Sequence, residues 1–223
     1  MSSRPSFFSS SVGSKYLVAF TGLALVGFLI VHLIGNLMVY VSPETFNRYS
    51  DKLIKNPLVI PAELGLIAIF LLHAYKAARV FVGARSARPV DYAKKDWAGY
   101  TSRKSWASST MIASGVFLLL FVPFHVKTFK FGAYYQAAEP GVRDLYRLVA
   151  EVFSSPGYVA FYVVAMVIVG FHLWHGVSSA FQSLGVDRTG LAPALRRIGW
   201  TVAIVLGVGF VSIPLYFFIV GGR

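Results

Sequence analysis

The sequence contains no cysteine, which excludes disulfides, thiolate ligation of iron–sulfur clusters and thiol nucleophiles. Charge is also scarce. Only 13% of residues are charged, and nine acids stand against 21 lysines and arginines. A chain that is 56% hydrophobic has too little polar surface to clothe a soluble globule, so the composition defines an integral membrane protein. The net charge of +12 would otherwise invite a nucleic-acid reading. Basic loops on the cytoplasmic side of a membrane account for it without nucleic acid.

Five apolar runs are each long enough to cross about 30 Å of hydrocarbon at about 1.5 Å per residue. They predict an all-α membrane protein, one integral membrane domain over 1–223, with five transmembrane helices at about 15–40, 58–82, 105–126, 156–184 and 195–220. Met1 to Ser14 is polar and serine-rich, and the run behind it is too long for the h-region of a cleaved leader. The stretch SPETFNRYSDKLIKNP reads as a polar loop, with Pro57 and Pro61 at the entry turn of the second helix. The stretch from Gly83 to Lys104 is the most basic. Pro123 falls near the expected end of the third helix and predicts a kink there. Arg143 to Phe153 has the pattern of a short amphipathic surface helix.

The loops set an orientation. With the N-terminus cytoplasmic, the inner segments are the N-terminal tail, Gly83–Lys104 and the turn holding Asp187 and Arg188. They carry eight of the 21 basic residues against three of the nine acids. The outer loops are nearly balanced: Arg48, Lys52 and Lys55 accompany Glu44 and Asp51, and Arg143 and Arg147 accompany Glu139, Asp144 and Glu151. The positive-inside rule therefore favours N-terminus in and C-terminus out.

All five histidines lie in the apolar runs, where an imidazole costs several kcal/mol unless it has a partner. His32 and His125 fall past the middle of outward-running helices, in the outer half of the membrane. His73 and His172 fall past the middle of inward-running helices, in the inner half. The chain thus makes two pairs at two depths, separated by on the order of 10–15 Å. Facing imidazoles in a helix bundle are what a bis-histidine haem needs. Zinc is a poorer fit, because no Asp, Glu or Cys joins the histidines. Gly22, Gly27, Gly35, Gly65, Gly115, Gly170 and Gly176 either make room beside a flat macrocycle or simply let helices pack closely.

Five helices, a histidine in each of the first four, and FHL…G…LG in the fourth (Gly170 to Gly185 reads GFHLWHGVSSAFQSLG) resemble the cytochrome b membrane-anchor subunit of succinate dehydrogenase and fumarate reductase. The likeness is to the single-chain, five-helix, dihaem type, over roughly Lys15 to Tyr216. It implies a proximal haem b held by His73 and His172 and a distal haem b held by His32 and His125. The choice of His172 over His175 rests on the family's spacing to Gly185; His175, one turn further on, is the alternative ligand, or a partner for a haem propionate or quinone. The resemblance also implies a flavoprotein subunit and an iron–sulfur subunit on the cytoplasmic side, and a quinone, ubiquinone or menaquinone, as electron partner in a bacterial cytoplasmic membrane. Such a chain passes electrons and does not itself oxidise succinate.

Glu63 is the one carboxylate close to an apolar helix interior. It is either a proton-handling group for quinone or an acid favoured by the helix dipole. Tyr75, Lys76, Arg79 and Arg103 are candidates for haem propionates or a proximal quinone site, or interfacial anchors. Two other classes remain open from sequence. One is the haem-b subunit of another quinone-linked enzyme, of hydrogenase or formate dehydrogenase type. The other is a haem-free anchor or transporter, against which stands the lack of a matching pair of broken helices.

Overall fold

The computed structural model describes residues 10–87, 106–186 and 191–221. Among these the chain is helical, with seven α-helices and no strand; an isolated bridge joins Gln136 to Arg143. Five helices are long and apolar enough to cross a membrane. Helix α1 (Ser11–Asn36) is extended by a 3₁₀ turn, Leu37–Tyr40. The other four are α3 (Val59–Ser86), α4 (Trp106–Phe129), α6 (Pro156–Ser183) and α7 (Ala192–Gly221).

The expected polar loop after the first span instead contains a helix, α2 (Pro43–Ile54). Its start signal is local. Ser42 accepts a hydrogen bond from the Thr45 amide at 3.1 Å, Pro43 occupies the first turn, and Glu44 lies at the positive end of the dipole. The helix is amphipathic and buries Phe46, Asn47 and Ser50 on one side. A second short helix, α5 (Leu145–Ser154), coincides with the amphipathic stretch read from the sequence. It buries Leu148, Val149 and Phe153.

These two short helices form a cap. Asn47, only 5% exposed, donates to the Asp144 carboxylate at 2.8 Å and accepts from the Tyr146 amide at 2.8 Å. Asp144 is the N-cap of α5, taking the Arg147 amide at 3.0 Å, so one buried amide side chain ties α2 to the start of α5. Helix α4 runs through Pro123 to Phe129, and so ends later than the proline alone suggested. Continuing past a proline is tolerated in a membrane helix where neighbouring groups re-satisfy the freed backbone.

Helix α6 is the centre of the packing. Its buried residues, Val159, Tyr162, Ala165, Met166, Val169, Leu173, Val177 and Ala180, recur at helical spacing and face α1, α4 and α7. Against α7 the backbones come close: a Cβ on Gly207 would lie 3.8 Å from the Gly170 Cα, and one on Gly170 would lie 3.7 Å from the Ala203 carbonyl oxygen. The apolar core lies among α1, α4, α5, α6, α7 and Phe46 of α2. Among the described residues, none from α3 joins it. Helix α3 packs mainly on α1 and touches α4 only lightly.

Candidate haem-binding sites

The fold brings the four candidate histidines together as two pairs. His32 on α1 and His125 on α4 have ring centres 5.9 Å apart with their planes perpendicular. Two metal–nitrogen bonds of about 2 Å, with about 1 Å from each ring centre to its nitrogen, put the rings of a bis-imidazole metal about 6 Å apart. Aromatic rings enclose this pair. Phe28 stacks on His32 at 5.3 Å, Phe210 of α7 approaches it at 5.7 Å, and Phe121 stacks on His125 at 5.7 Å. The Tyr162 hydroxyl stands 3.4 Å from His125 Nδ1, and the Asn36 amide lies 3.4 Å from the His32 ring nitrogens.

The second pair is His73 on α3 and His172 on α6, with His175 a further neighbour of His172. Each of the two is gripped by the helix beside it. Thr21 of α1 places its hydroxyl 3.1 Å from His73 Nδ1, and Ser114 of α4 places its hydroxyl 2.9 Å from His172 Nδ1. In both cases the next residue is glycine. A Cβ on Gly22 would lie 3.1 Å from His73 Cε1, and one on Gly115 would lie 3.7 Å from His172 Cε1. Gly22 therefore makes room for the His73 ring, whereas Gly115 lies against His172 at ordinary contact distance. The other candidates divide: a Cβ on Gly35 would strike the Tyr49 ring, Gly170 serves the α6–α7 contact, and Gly27, Gly65 and Gly176 border open space.

The donor set fits haem better than a protein-only metal site. Among the described residues no three His, Cys, Asp or Glu side chains gather as a metal cluster, so a tetrahedral zinc site does not form. Paired imidazoles supply the two axial positions of a haem iron.

The remaining candidates lie elsewhere. Glu63 sits near the start of α3 in an ion pair with Lys130, just beyond the end of α4, with both side chains partly exposed. That contact bridges two helices that otherwise barely meet. Tyr75 is exposed, and the Arg79 guanidinium donates to its hydroxyl at 3.5 Å; Lys76, one turn past His73, is buried. His175 is half-buried. Arg103 and the turn with Asp187 and Arg188 lie outside the described residues. Sequence reading missed Thr21, Ser114 and Tyr162. A hydroxyl residue followed by glycine inside an apolar run, as in Thr21-Gly22 and Ser114-Gly115, was the available signal.

Fold and site together define a multi-pass helical membrane protein with two histidine pairs across its bundle. The chain is 25% identical over 202 residues to the succinate dehydrogenase cytochrome b558 subunit of Bacillus subtilis (strain 168), a similarity covering 90% of this chain and 92% of that one. This bears out the resemblance read from the sequence: the chain is similar to a cytochrome b subunit of succinate dehydrogenase. No family model matches it, and no solved structure matches it significantly.

Proposed function

We propose that the chain is the dihaem cytochrome b anchor of a succinate:quinone oxidoreductase, carrying electrons between an iron–sulfur subunit and membrane quinone. The pairing of histidines from α1 with α4 and from α3 with α6 is the observation that carries this reading. His32 and His125 would hold the distal haem b, His73 and His172 the proximal one. Bound there, haem iron supplies one-electron transfer, which links single-electron clusters to a two-electron quinone. The protein's own part is to fix the ligands. Hydroxyls and helix packing hold each imidazole in one orientation, and the aromatic wall of Phe28, Phe121 and Phe210 excludes water from the outer pair.

The flavoprotein and iron–sulfur subunits would dock on the cytoplasmic face. The basic segments support that face being the one carrying the N-terminus, in a bacterial cytoplasmic membrane. His175, close to His172 and half-buried, suits a propionate or quinone contact as well as the alternative ligand role. Tyr75, Lys76 and Arg79 lie along the same end of α3 and suit the same task. Glu63 remains a proposed proton-handling group for quinone at the other end. It is ion-paired with Lys130, just beyond the end of α4. A Glu63→Gln variant with unchanged quinone turnover would remove that role.

The test is haem b per chain, measured by pyridine haemochrome on the detergent-purified protein, His32→Ala and His73→Ala. Two haems in the native protein and one in each variant are expected. A native protein without haem would leave a plain membrane anchor. Dye reduction by succinate in the co-purified complex separates this assignment from a hydrogenase or formate dehydrogenase subunit.

A further inference from the structure

Helices α1 and α4 carry the same short device at the same kind of place. In Thr21-Gly22 and Ser114-Gly115, a hydroxyl meets Nδ1 of a histidine on the neighbouring helix, and a glycine lies beside Cε1 of the same ring. The hydroxyls' other contacts favour one direction for these hydrogen bonds. The Thr21 hydroxyl donates to the Leu17 carbonyl at 2.6 Å, and the Ser114 hydroxyl donates to the Met111 carbonyl at 3.0 Å. A hydroxyl has one proton, so toward the imidazole each oxygen accepts. The Val18 carbonyl, 3.2 Å from the Thr21 hydroxyl, is a second acceptor for that hydroxyl's proton. Nδ1 of both rings therefore carries the proton, and Nε2 of both is left with its lone pair free. The outer pair is not built this way: His125 and His32 have only 3.4 Å polar contacts at their ring nitrogens.

We infer that Thr21 and Ser114 are positioning residues that fix the Nε2-ligating tautomer of His73 and His172 and raise the basicity of these imidazoles. The inference rests on the haem reading above. A hydrogen bond from Nδ1–H to a fixed acceptor pushes electron density into the ring, which favours the oxidised metal over the reduced one. Removing the acceptor must therefore raise the reduction potential of the group these two histidines hold, and leave the one held by His32 and His125 alone.

The experiment is a redox titration of the purified holoprotein, with haem content and the ferric low-spin EPR signals recorded on the same samples. The variants are Thr21→Val, which keeps the shape and loses the hydroxyl; Thr21→Ser, which keeps the hydroxyl; and Ser114→Ala. His73→Ala identifies which of the two haem signals belongs to this pair. In Thr21→Val and in Ser114→Ala that signal is expected to move to higher potential while the other stays, with Thr21→Ser close to native. Loss of that haem in Thr21→Val but not in Thr21→Ser would also support the inference. Native potentials in both hydroxyl-free variants would overturn it and leave the haem assignment standing. Equal loss of haem in Thr21→Val and Thr21→Ser would mark a packing role and overturn it too. A native protein with no haem would bring down both this inference and the assignment it rests on.

Discussion

At the scale of single residues, the histidine contacts make two glycines unequal. A methyl at Gly22 would press on His73 Cε1 at 3.1 Å, tighter than ordinary contact, whereas one at Gly115 would meet His172 Cε1 at 3.7 Å. Gly22→Ala should displace the His73 ring and reduce haem occupancy of that pair, while Gly115→Ala should bind haem as the native protein does. Pyridine haemochrome on both variants decides it. Gly132 is more constrained than either, because a Cβ there would fall 2.0 Å from the Thr128 carbonyl oxygen, a backbone atom that cannot swing aside. Gly132→Ala should cost about 1–3 kcal/mol, the usual range for forced overpacking, read as a lower midpoint of thermal unfolding in detergent. The histidines were legible in the sequence because an imidazole in hydrocarbon is conspicuous. Thr21 and Ser114 were not, because a hydroxyl in a membrane helix can always bond its own backbone, as both of these also do.

At the scale of elements, the long helices were readable from hydropathy alone, and the cap only in part. Helix α5 shows itself by its apolar spacing, while α2 reads as a loop because its composition is polar and its buried face includes Asn47 and Ser50. What makes α2 ordered is a partner distant in sequence, and local pattern cannot see that. Asn47→Ala would leave the Tyr146 amide and the Asp144 carboxylate without this partner. It should cost about 1–3 kcal/mol, the range for orphaning buried polar groups, seen as a fall in thermal stability. The cap also carries a pH-dependent contact. The Tyr135 hydroxyl first, then the Arg147 guanidinium, holds the Glu151 carboxyl below the usual carboxylate range. A lowered carboxylate pKa adds stability that is complete above the unfolded-state value and is lost as pH falls through the folded-state value. Thermal midpoints should therefore drop on acidification through that window in the native protein, and Glu151→Gln should start lower and lose less. The effect is modest because all three groups face solvent.

At the scale of the whole molecule, the depth pairing of the histidines was legible because counting residues along antiparallel helices needs no side-chain detail. The packing of α3 was not, because hydropathy marks a span without saying which neighbours it packs against. Orientation can be tested with the chain's own composition: with no native cysteine, any cysteine introduced is a unique label. In right-side-out vesicles a membrane-impermeant maleimide should modify Lys55→Cys, on the cap side, and spare Ser86→Cys, at the other end of α3; the reverse pattern would invert the topology. Helix α3 has one more consequence, and it concerns the order of events in the life of the protein. The other four spans and the cap share a core that α3 does not enter, so they can assemble before α3 is firmly seated. His73 on α3 meets Thr21 on α1, and whatever His73 binds must bridge to α6. On the proposed haem assignment, a chain starved of haem should show amide exchange rising first along α3. The helix that packs outside the shared core would then report whether the protein is finished.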